Sequence, residues 1–293
     1  MPAAQTLRTP VGLIAIDVDG TLLCPRGKVS AATRAAIHRV SAAGFAICYA
    51  TGRSWRESRN VIESVGHQSC AVFVTGALVV DTQTSRIIHR KLMGAELARQ
   101  TCAVLESHGQ AVLALQDIHS DGPIHQQPIV DYLVTAATEL NPETKYWLNM
   151  TQTNVLRRSD LATAGHERTL RVGLVADAEK VRQCQEELKS RLGNRVFCHC
   201  LVVPSSGMRV LEVFDPAVNK WDGVMRVARE LGVSASEVIA VGDDVNDLPM
   251  IRQAGLGVAM GNAPEFVQAA AHRVIGHHRD DGLAAFLEEI AAR

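Results

Sequence analysis

Short apolar runs alternate with amphipathic stretches through the first quarter of the chain. The aliphatic run 13–16 predicts a strand that is buried on both faces of a sheet. The stretch 30–43, the run 45–50, the stretch 55–65 and the run 71–74 continue the series as helix, strand, helix and strand. Strands that alternate with helices in this way predict a parallel sheet with right-handed crossovers.

The rhythm changes after the third strand and stays irregular up to residue 214. The stretch 149–165 fits neither a helix nor a strand. Helices are predicted near 94–108, 130–139 and 179–192, and strands at 78–81, 86–92, 111–115, 171–175, 196–203 and 208–214. This mixture predicts a separate α+β unit whose sheet is mostly antiparallel.

The first rhythm returns after Asp215-Pro216, with a helix from Lys220, a strand at 238–241 and a C-terminal helix at 282–292. A chain of 293 residues exceeds the usual size of one domain, which favours two. We therefore predict a doubly wound α/β core interrupted by an inserted domain. The core takes residues 1–82 and 215–293, and the inserted domain takes residues 83–214.

Two carboxylates stand where the first strand ends, in the sequence Asp17-Val18-Asp19-Gly20-Thr21. An unpaired charge is costly to bury, so the acids belong at the solvent end of the strand, where α/β sheets bind ligands. Residues i and i+2 of a strand share a face, so Asp17 and Asp19 are expected to converge on one small object. Two anions this close need a cation or a shared proton between them. The alternative interpretation is an ordinary turn, which needs only one Asp.

Further functional groups follow the ends of other predicted elements. They are Thr51 with Gly52 after the second strand, Lys220 at the start of a late helix, and Asp243, Asn246 and Asp247 after a late strand. In a parallel sheet these strand ends share one edge. Clustered carboxylates suggest Mg²⁺, and lysine, threonine and amide groups suit a phosphate. The combination predicts phosphoryl transfer.

The balance of 30 basic and 31 acidic residues gives no basic excess, so we expect neither nucleic acid nor a membrane as a partner. No apolar run approaches the ~20 residues of a membrane span, and residues 1–10 do not resemble a signal peptide. Seven scattered cysteines favour reduced thiols and a cytoplasmic location. We expect a monomer or a homodimer.

The motifs resemble those of the haloacid dehalogenase superfamily of phosphatases, in particular its Cof-like branch with an inserted cap. Residues 17–21 match the family's D-x-D-G-T, and Thr51-Gly52-Arg53 is similar to its second motif. Lys220 stands in the place of the third motif, and residues 242–247 match G-D-x-x-N-D. The resemblance spans the chain from about Gly12 to its end. It implies a Rossmann-like doubly wound parallel sheet core with an inserted α+β cap domain.

The resemblance also implies roles for the acids. Asp17 would be the nucleophile that forms an aspartyl-phosphate, and Asp19 the general acid and then the general base. Mg²⁺ would be held by Asp17, by the backbone carbonyl of Asp19 and by Asp243. The implied activity is Mg²⁺-dependent hydrolysis of small phosphorylated metabolites, with sugar phosphates favoured.

The remaining motif residues would bind the phosphate or support the site. Thr51, Gly52, Lys220 and Asn246 would bind the phosphoryl group. Asp247 would belong to the metal shell or orient Lys220. Arg53 has two interpretations. It is either a functional residue of the second motif or a surface residue in a salt bridge.

Two positions depart from the family pattern and bear on substrate fit. Thr75 stands where many relatives carry Asn, and Trp221 follows Lys220 where relatives often carry Gly. Two other functions stay open: a phosphotransferase or phosphomutase of the same superfamily, and a non-catalytic binding protein on this scaffold. In the inserted domain, candidate substrate contacts are Asp117, His119, Asp121 and His125.

Overall fold

The computed structural model describes residues 11–118, 130–163, 165–203 and 206–292. His119, Asp121 and His125, as well as residues 1–10, lie outside these ranges. Among the described residues, no helix has both the length and the apolarity that a membrane crossing requires.

The strands and helices have the following bounds. The strands are β1 (Gly12–Asp17), β2 (Phe45–Ala50), β3 (Cys70–Phe73), β4 (Leu78–Asp81), β5 (Arg86–Arg90), β6 (Leu113–Gln116), β7 (Tyr132–Thr135), β8 (Val155–Arg158), β9 (Thr169–Ala176), β10 (Phe197–Val202), β11 (Arg209–Phe214), β12 (Val238–Gly242), β13 (Leu256–Ala259) and β14 (Arg273–Val274). The helices are α1 (Ala31–Ala42), α2 (Trp55–Val65), α3 (Ala95–Ser107), α4 (Pro142–Met150), α5 (Ala178–Leu192), α6 (Lys220–Leu231), α7 (Leu248–Gln253), α8 (Glu265–Gln268) and α9 (Gly282–Ala291).

The described chain divides into two compact units, one made of the residues up to Arg90 together with those from Asn219 onward, the other of Lys91–Val218. The sequence assigns residues 83–90 to the inserted domain. In the structure they include β5, which pairs with β4 in the sheet of the first unit. The strand β5 extends the sheet of the first unit because its backbone pairs with that of β4.

The first unit contains a sheet of eight strands in the order β14-β13-β12-β1-β2-β3-β4-β5. The six strands from β14 to β3 are parallel, β4 pairs antiparallel with β3, and β5 pairs antiparallel with β4. Across β1, the register pairs Asp17 with Ala50 and Ile16 with Val241. Thr51 and Gly242 are therefore placed on either side of Asp17 at one edge of the sheet.

Local signals in the sequence fix the helices of this unit. Ser54 and Glu57 form a capping box at the start of α2, and Gly66 ends the helix in the left-handed conformation. Asn219 caps α6 by accepting a hydrogen bond from the backbone of Asp222. One face of α6 packs against the sheet, with Val224 and Val227 fully buried.

The second unit contains a sheet of six strands in the order β10-β11-β9-β6-β7-β8, which is antiparallel except between β7 and β8. Helices α3 and α5 supply buried side chains such as Leu105 and Leu188 to its core cluster. The opposite side of β9 and β11 carries a buried ion pair between Arg171 and Glu212. Burial works to raise the pKa of Glu212, but Arg171 and His199 together outweigh it and hold that pKa below its usual range.

The helix predicted at residues 130–139 is wrong. Tyr132–Thr135 form a strand whose four side chains are all buried, and the Tyr132 ring packs edge-to-face on Trp147 at 5.3 Å between centroids. A short apolar run has no periodicity that separates helix from strand, so pairing with β6 and β8 decides. Within the ambiguous stretch 149–165, α4 ends at Met150 and β8 follows.

Gly76 provides a test of the packing between β3 and the start of α6. It has φ of 109°, and a Cβ there would overlap the carbonyl oxygen of Asn219, next to Lys220. We expect Gly76→Ala to lower the free energy of unfolding by about 3 kcal/mol or more, from strain and overlap together. Gly27→Ala is the matched control, because Gly27 has φ of 67° but no atom within 4 Å of the added Cβ. Urea unfolding that shows equal losses in both variants would contradict the packing argument.

A buried histidine predicts pH-dependent stability in the second unit. His166 is 1% exposed, its Nε2 donates to the Leu161 carbonyl at 2.7 Å, and its Nδ1 faces the Thr169 hydroxyl at 2.9 Å. Burial lowers the pKa of His166 below its ordinary value of 6.5. The unfolded chain therefore binds this proton at a higher pH than the folded chain.

Relative to His166→Asn, we expect the wild-type free energy of unfolding to fall as the pH drops below about 6.5, by at most about 1.4 kcal/mol per pH unit. Urea titrations between neutral pH and pH 5 measure this slope. His166→Asn should reduce the slope, whereas His38→Asn, a change at an exposed histidine, should leave it in place. Equal slopes for wild type and His166→Asn would refute the assignment.

Candidate active site

Asp17, the last residue of β1, is 3% exposed. Its Oδ1 accepts a hydrogen bond from Lys220 Nζ at 2.6 Å. Its Oδ2 is buried and has no hydrogen-bond partner among the described residues. Burial, reinforced by the nearby Asp247, raises the pKa of Asp17 well above its usual range. One oxygen of this carboxylate is thus held, and the other remains available.

Lys220 is the first residue of α6 and is 1% exposed. Its ammonium group lies between two carboxylates, donating to Asp17 and, at 2.7 Å, to Asp247 Oδ1. Burial works to lower the pKa of Lys220, but the two carboxylates outweigh it and raise that pKa above its ordinary value. The lysine is therefore charged and fixed at the sheet edge.

Asp247 is fully buried and uses both of its oxygens within the protein. Oδ1 accepts from Lys220, and Oδ2 accepts from the backbone N–H groups of Asp243 and Asp244, each at 3.0 Å. A Cβ at Gly242 would collide with the Asp247 side chain, so the loop after β12 closes tightly on this residue. Asp247 orients Lys220 and shapes the loop that carries Asp243.

Asp243 has a partner on each carboxylate oxygen. Thr21 Oγ1 donates to Oδ1 at 3.3 Å, and Asn262 Nδ2 donates to Oδ2 at 3.0 Å. Burial and the neighbouring Asp247 raise the pKa of Asp243 to about 7. The positive charge of Lys220 is thus too small to balance the carboxylates around it.

The expectation that Asp17 and Asp19 share a face rested on strand alternation, which does not extend to Asp19. The strand ends at Asp17, and Val18–Leu22 form a tight turn in which Gly20 has φ of 81°. The carboxylate of Asp19 instead forms a two-pronged ion pair with Arg53, in which Nε donates to Oδ2 at 2.8 Å and the second bond joins Nη2 to Oδ1. The side chain of Asp19 is 53% exposed.

Thr51 follows β2 and is 1% exposed, with its hydroxyl accepting from the Arg53 backbone N–H at 3.1 Å. A strained turn supports this segment: Val74 and Thr75 have φ of 51° and 57°, which β-branched residues rarely adopt. Their backbone N–H groups donate to the carbonyls of Arg53 and Thr51 at 2.9 and 3.0 Å. The turn thereby fixes residues 51–53 beside Asp17.

The two family departures occupy different environments. The Thr75 hydroxyl is buried and has no hydrogen-bond partner among the described residues. Trp221 is 6% exposed and packs in the hydrophobic cluster beneath α6.

Asn246 lies in the short turn Val245–Asp247, and its Oδ1 is buried without a partner in the described part of the chain.

Asn262 is the site residue that motif reasoning missed. It follows β13, another parallel strand whose C-terminal end lies at the same edge as Asp17 and Asp243. Its side chain contacts both Asp243 and the carbonyl of Gly20. The rule that pointed to Asp17, Thr51 and Asp243, a polar residue just after a buried strand, applies equally to this position.

The carboxylates fit a divalent cation. Asp17, Asp243 and Asp247 each offer an oxygen, and these oxygens lie within 4.8 Å of one another. The unpartnered Oδ2 of Asp17 and the shortage of positive charge favour a hard cation with oxygen ligands. Both oxygens of Asp247 already accept hydrogen bonds, whereas Asp17 Oδ2 has no partner among the described residues, so Asp17 is the better ligand of these two.

A match to a protein-family profile identifies the family of this chain. The profile of haloacid dehalogenase-like hydrolases matches residues 14–287. The chain belongs to this family.

Individual proteins match this hydrolase over nearly the whole chain. The 5-amino-6-(5-phospho-D-ribitylamino)uracil phosphatase YitU of Bacillus subtilis is 28% identical, covering 97% of this chain and 98% of that protein. The HMP-PP phosphatase of Cronobacter sakazakii is 25% identical and covers 93% of each chain. A haloacid dehalogenase-like hydrolase from Bacteroides thetaiotaomicron has the same fold, with a TM-score of 0.78 at 22% identity, over 95% of this chain and 99% of that one.

These matches confirm the predicted family and the predicted α/β fold. They also confirm the enzyme class, a phosphoric monoester hydrolase, since the curated relatives are named phosphatases. The structure brings Asp17, Lys220, Asp243 and Asp247 together at one sheet edge.

Removing the central lysine of this hydrolase should be costly. Lys220→Met would leave buried carboxylates without their counter-ion, and we expect the metal-free protein to lose about 3–5 kcal/mol of unfolding free energy at pH 8. Arg86→Met breaks the exposed pair with Glu230 and should cost less than about 1 kcal/mol. Urea unfolding in excess chelator measures both. A Lys220→Met loss as small as that of Arg86→Met would contradict the buried ion-pair arrangement.

Proposed function

We propose that this hydrolase is a Mg²⁺-dependent phosphatase that hydrolyses small phosphorylated metabolites, with sugar phosphates favoured, through an aspartyl-phosphate on Asp17. The observation that carries the proposal is the Asp17 carboxylate. One of its oxygens is fixed by Lys220, and the other is buried without a partner among the described residues. A buried carboxylate held in this way is oriented for attack on an electrophile.

In the first step, a carboxylate oxygen of Asp17 attacks phosphorus, and the bond from phosphorus to the leaving oxygen breaks. Asp19 in its acid form gives its proton to that oxygen, so the leaving group departs as an alcohol. The Asp19 side chain is 53% exposed, which leaves room for it to rotate from Arg53 toward the leaving group. The product of this step is a phosphorylated Asp17.

In the second step, water attacks the phosphorus of the aspartyl-phosphate while Asp19, now a carboxylate, accepts a proton from the water. The bond from phosphorus to Asp17 breaks, which releases inorganic phosphate and restores the Asp17 carboxylate. Before this rotation, Arg53 holds the Asp19 carboxylate through two hydrogen bonds. The same carboxyl group thus serves as the acid and then as the base.

Four residues are proposed to bind the phosphoryl oxygens: Thr51, Gly52, Lys220 and Asn246. Mg²⁺ would be held by Asp17, the backbone carbonyl of Asp19 and Asp243, with Asp247 orienting Lys220. When bound, the cation neutralises charge on the phosphoryl group and on the carboxylates. Lys220 contributes a second positive charge at a fixed position.

The substrate class rests on the relatives. YitU is named for a substrate in which the phosphate esterifies a ribityl chain, a polyol. We propose a phosphomonoester of similar size for this chain, and we propose that the inserted domain selects the leaving group. Asp117, the one candidate of that domain within the described residues, is 3% exposed. A panel of sugar and nucleotide phosphates, assayed by phosphate release, identifies the class.

Loss of the nucleophile is the direct test of the mechanism. Asp17→Asn should lower phosphate release from an aryl phosphate by at least about 10³-fold, because the neutral amide is a poor nucleophile. Asp81→Asn, at the last residue of β4, should keep the activity. Wild-type activity should require Mg²⁺ and disappear in excess chelator, and an acid quench should trap one phosphoryl group on the peptide with Asp17. Activity retained in Asp17→Asn would exclude this nucleophile.

The acid role of Asp19 predicts a dependence on the leaving group. Asp19→Asn should impair alkyl phosphates more than aryl phosphates with acidic phenols, because acidic phenols leave without protonation. The measurement is kcat/KM across a series of leaving groups. An equal loss for all of them would count against Asp19 as the acid.

The two alternatives have distinct signatures. A phosphomutase would convert sugar phosphate isomers without net phosphate release. A binding protein would retain a phosphorylated ligand without turnover. The pairing of Lys220 with Asp17 favours hydrolysis over simple binding, because it orients a carboxylate that binding alone would not require.

A further inference from the structure

The loop after β13 contains an amide that connects three segments of the first unit. Asn262 Nδ2 donates to the carbonyl of Gly20 at 2.9 Å and to Asp243 Oδ2 at 3.0 Å. Asn262 Oδ1 accepts from the backbone N–H of His278 at 3.0 Å. These partners lie far apart in the sequence, so the amide joins the turn after β1, the loop after β12 and the segment before α9.

The hydrogen-bond partners determine the orientation of this amide. A carboxylate and a carbonyl only accept hydrogen bonds, and a backbone N–H only donates. The reversed orientation would face Oδ1 toward two acceptors and the amino group toward a donor. The side chain is thus fully committed, with two bonds donated and one accepted.

The close approach of Gly20 to Asp243 gives this amide its importance. A Cβ at Gly20 would overlap the Asp243 carboxylate, so backbone and carboxylate are in direct contact. Asn262 bonds both of them and fixes their separation. Gly20 follows Asp19, whose backbone carbonyl is a proposed metal ligand, and Asp243 is another.

We infer that Asn262 is a positioning residue for the cation site, holding the Asp243 carboxylate and the backbone after Asp19 in one fixed arrangement. This inference rests on the proposed function, since it takes Asp243 and the Asp19 carbonyl as metal ligands. Removing a group that orients a metal ligand commonly weakens metal binding by about 10- to 100-fold. Asparagine suits the position because an aspartate has no amide N–H to donate.

Gln268 provides a control that distinguishes positioning of the metal ligands from general support of the loop after β13. Gln268 Nε2 donates to the Ala263 carbonyl at 2.7 Å and to the Gly261 carbonyl at 3.5 Å. It therefore stabilises the same loop through backbone carbonyls, whereas its hydrogen bonds do not include Asp243. Gln268→Ala should weaken the loop without disturbing the metal ligands.

The test measures metal binding by the full chain, independently of catalysis. Mn²⁺ binding by electron paramagnetic resonance and Mg²⁺ binding by calorimetry are compared for wild type, Asn262→Ala, Asn262→Leu and Gln268→Ala. We expect both Asn262 variants to bind about 10- to 100-fold more weakly and Gln268→Ala to bind like wild type. In an aryl phosphatase assay, the Mg²⁺ concentration for half activation should rise in parallel, while KM at saturating Mg²⁺ should change little.

Leucine has approximately the volume of asparagine. If Asn262→Ala does not fold because it leaves a cavity, Asn262→Leu should still fold. Wild-type metal affinity in either folded Asn262 variant would overturn the inference, and so would an equal loss in Gln268→Ala. Wild-type protein that binds Mn²⁺ without hydrolysing any phosphate ester would refute the proposed function alone. In that case the comparison of metal affinities still decides the role of Asn262.

Discussion

The site depends on one buried ammonium group held between two carboxylates. Lys220 bonds Asp17 at 2.6 Å and Asp247 at 2.7 Å, and all three side chains are almost completely buried. Desolvating these charges is costly, and only their mutual pairing offsets the cost. Because Asp17 ends β1 and Asp247 follows β12, the pairing requires β1, β12 and the start of α6 to meet at one edge. The chemistry and the assembly of the sheet edge are therefore coupled.

Excess negative charge is the second constraint. The pKa values of Asp17 and Asp243 are both raised, by burial first and then by neighbouring carboxylates. A single lysine leaves this cluster short of positive charge, which is the condition that favours a divalent cation and a phosphoryl group with it. The clustered carboxylates lower the stability of the protein without a ligand, but they suit a positively charged ligand. Such a trade-off is expected where function competes with stability.

Close backbone contacts hold the arrangement in place. Gly20 lies directly against the Asp243 carboxylate, and Gly76 lies against the backbone at Asn219, next to Lys220. Val74 and Thr75 adopt left-handed conformations that are unfavourable for β-branched residues, yet their N–H groups hold residues 51–53. Strain at this edge persists because hydrogen bonds and packing around it leave the backbone no alternative.

Local patterns in the sequence determined the alternation of strands and helices in the first unit, the acids at the end of β1 and the family motifs. These features depend on neighbours in the chain, such as the cap at Ser54 and Glu57. Tertiary structure alone decided that Tyr132–Thr135 form a strand, that Asp19 faces Arg53, and that Asn262 bonds Asp243. The reason is the range of the contacts: Lys220 and Asp17 lie 203 residues apart, and no local pattern records which side chains meet over such a distance.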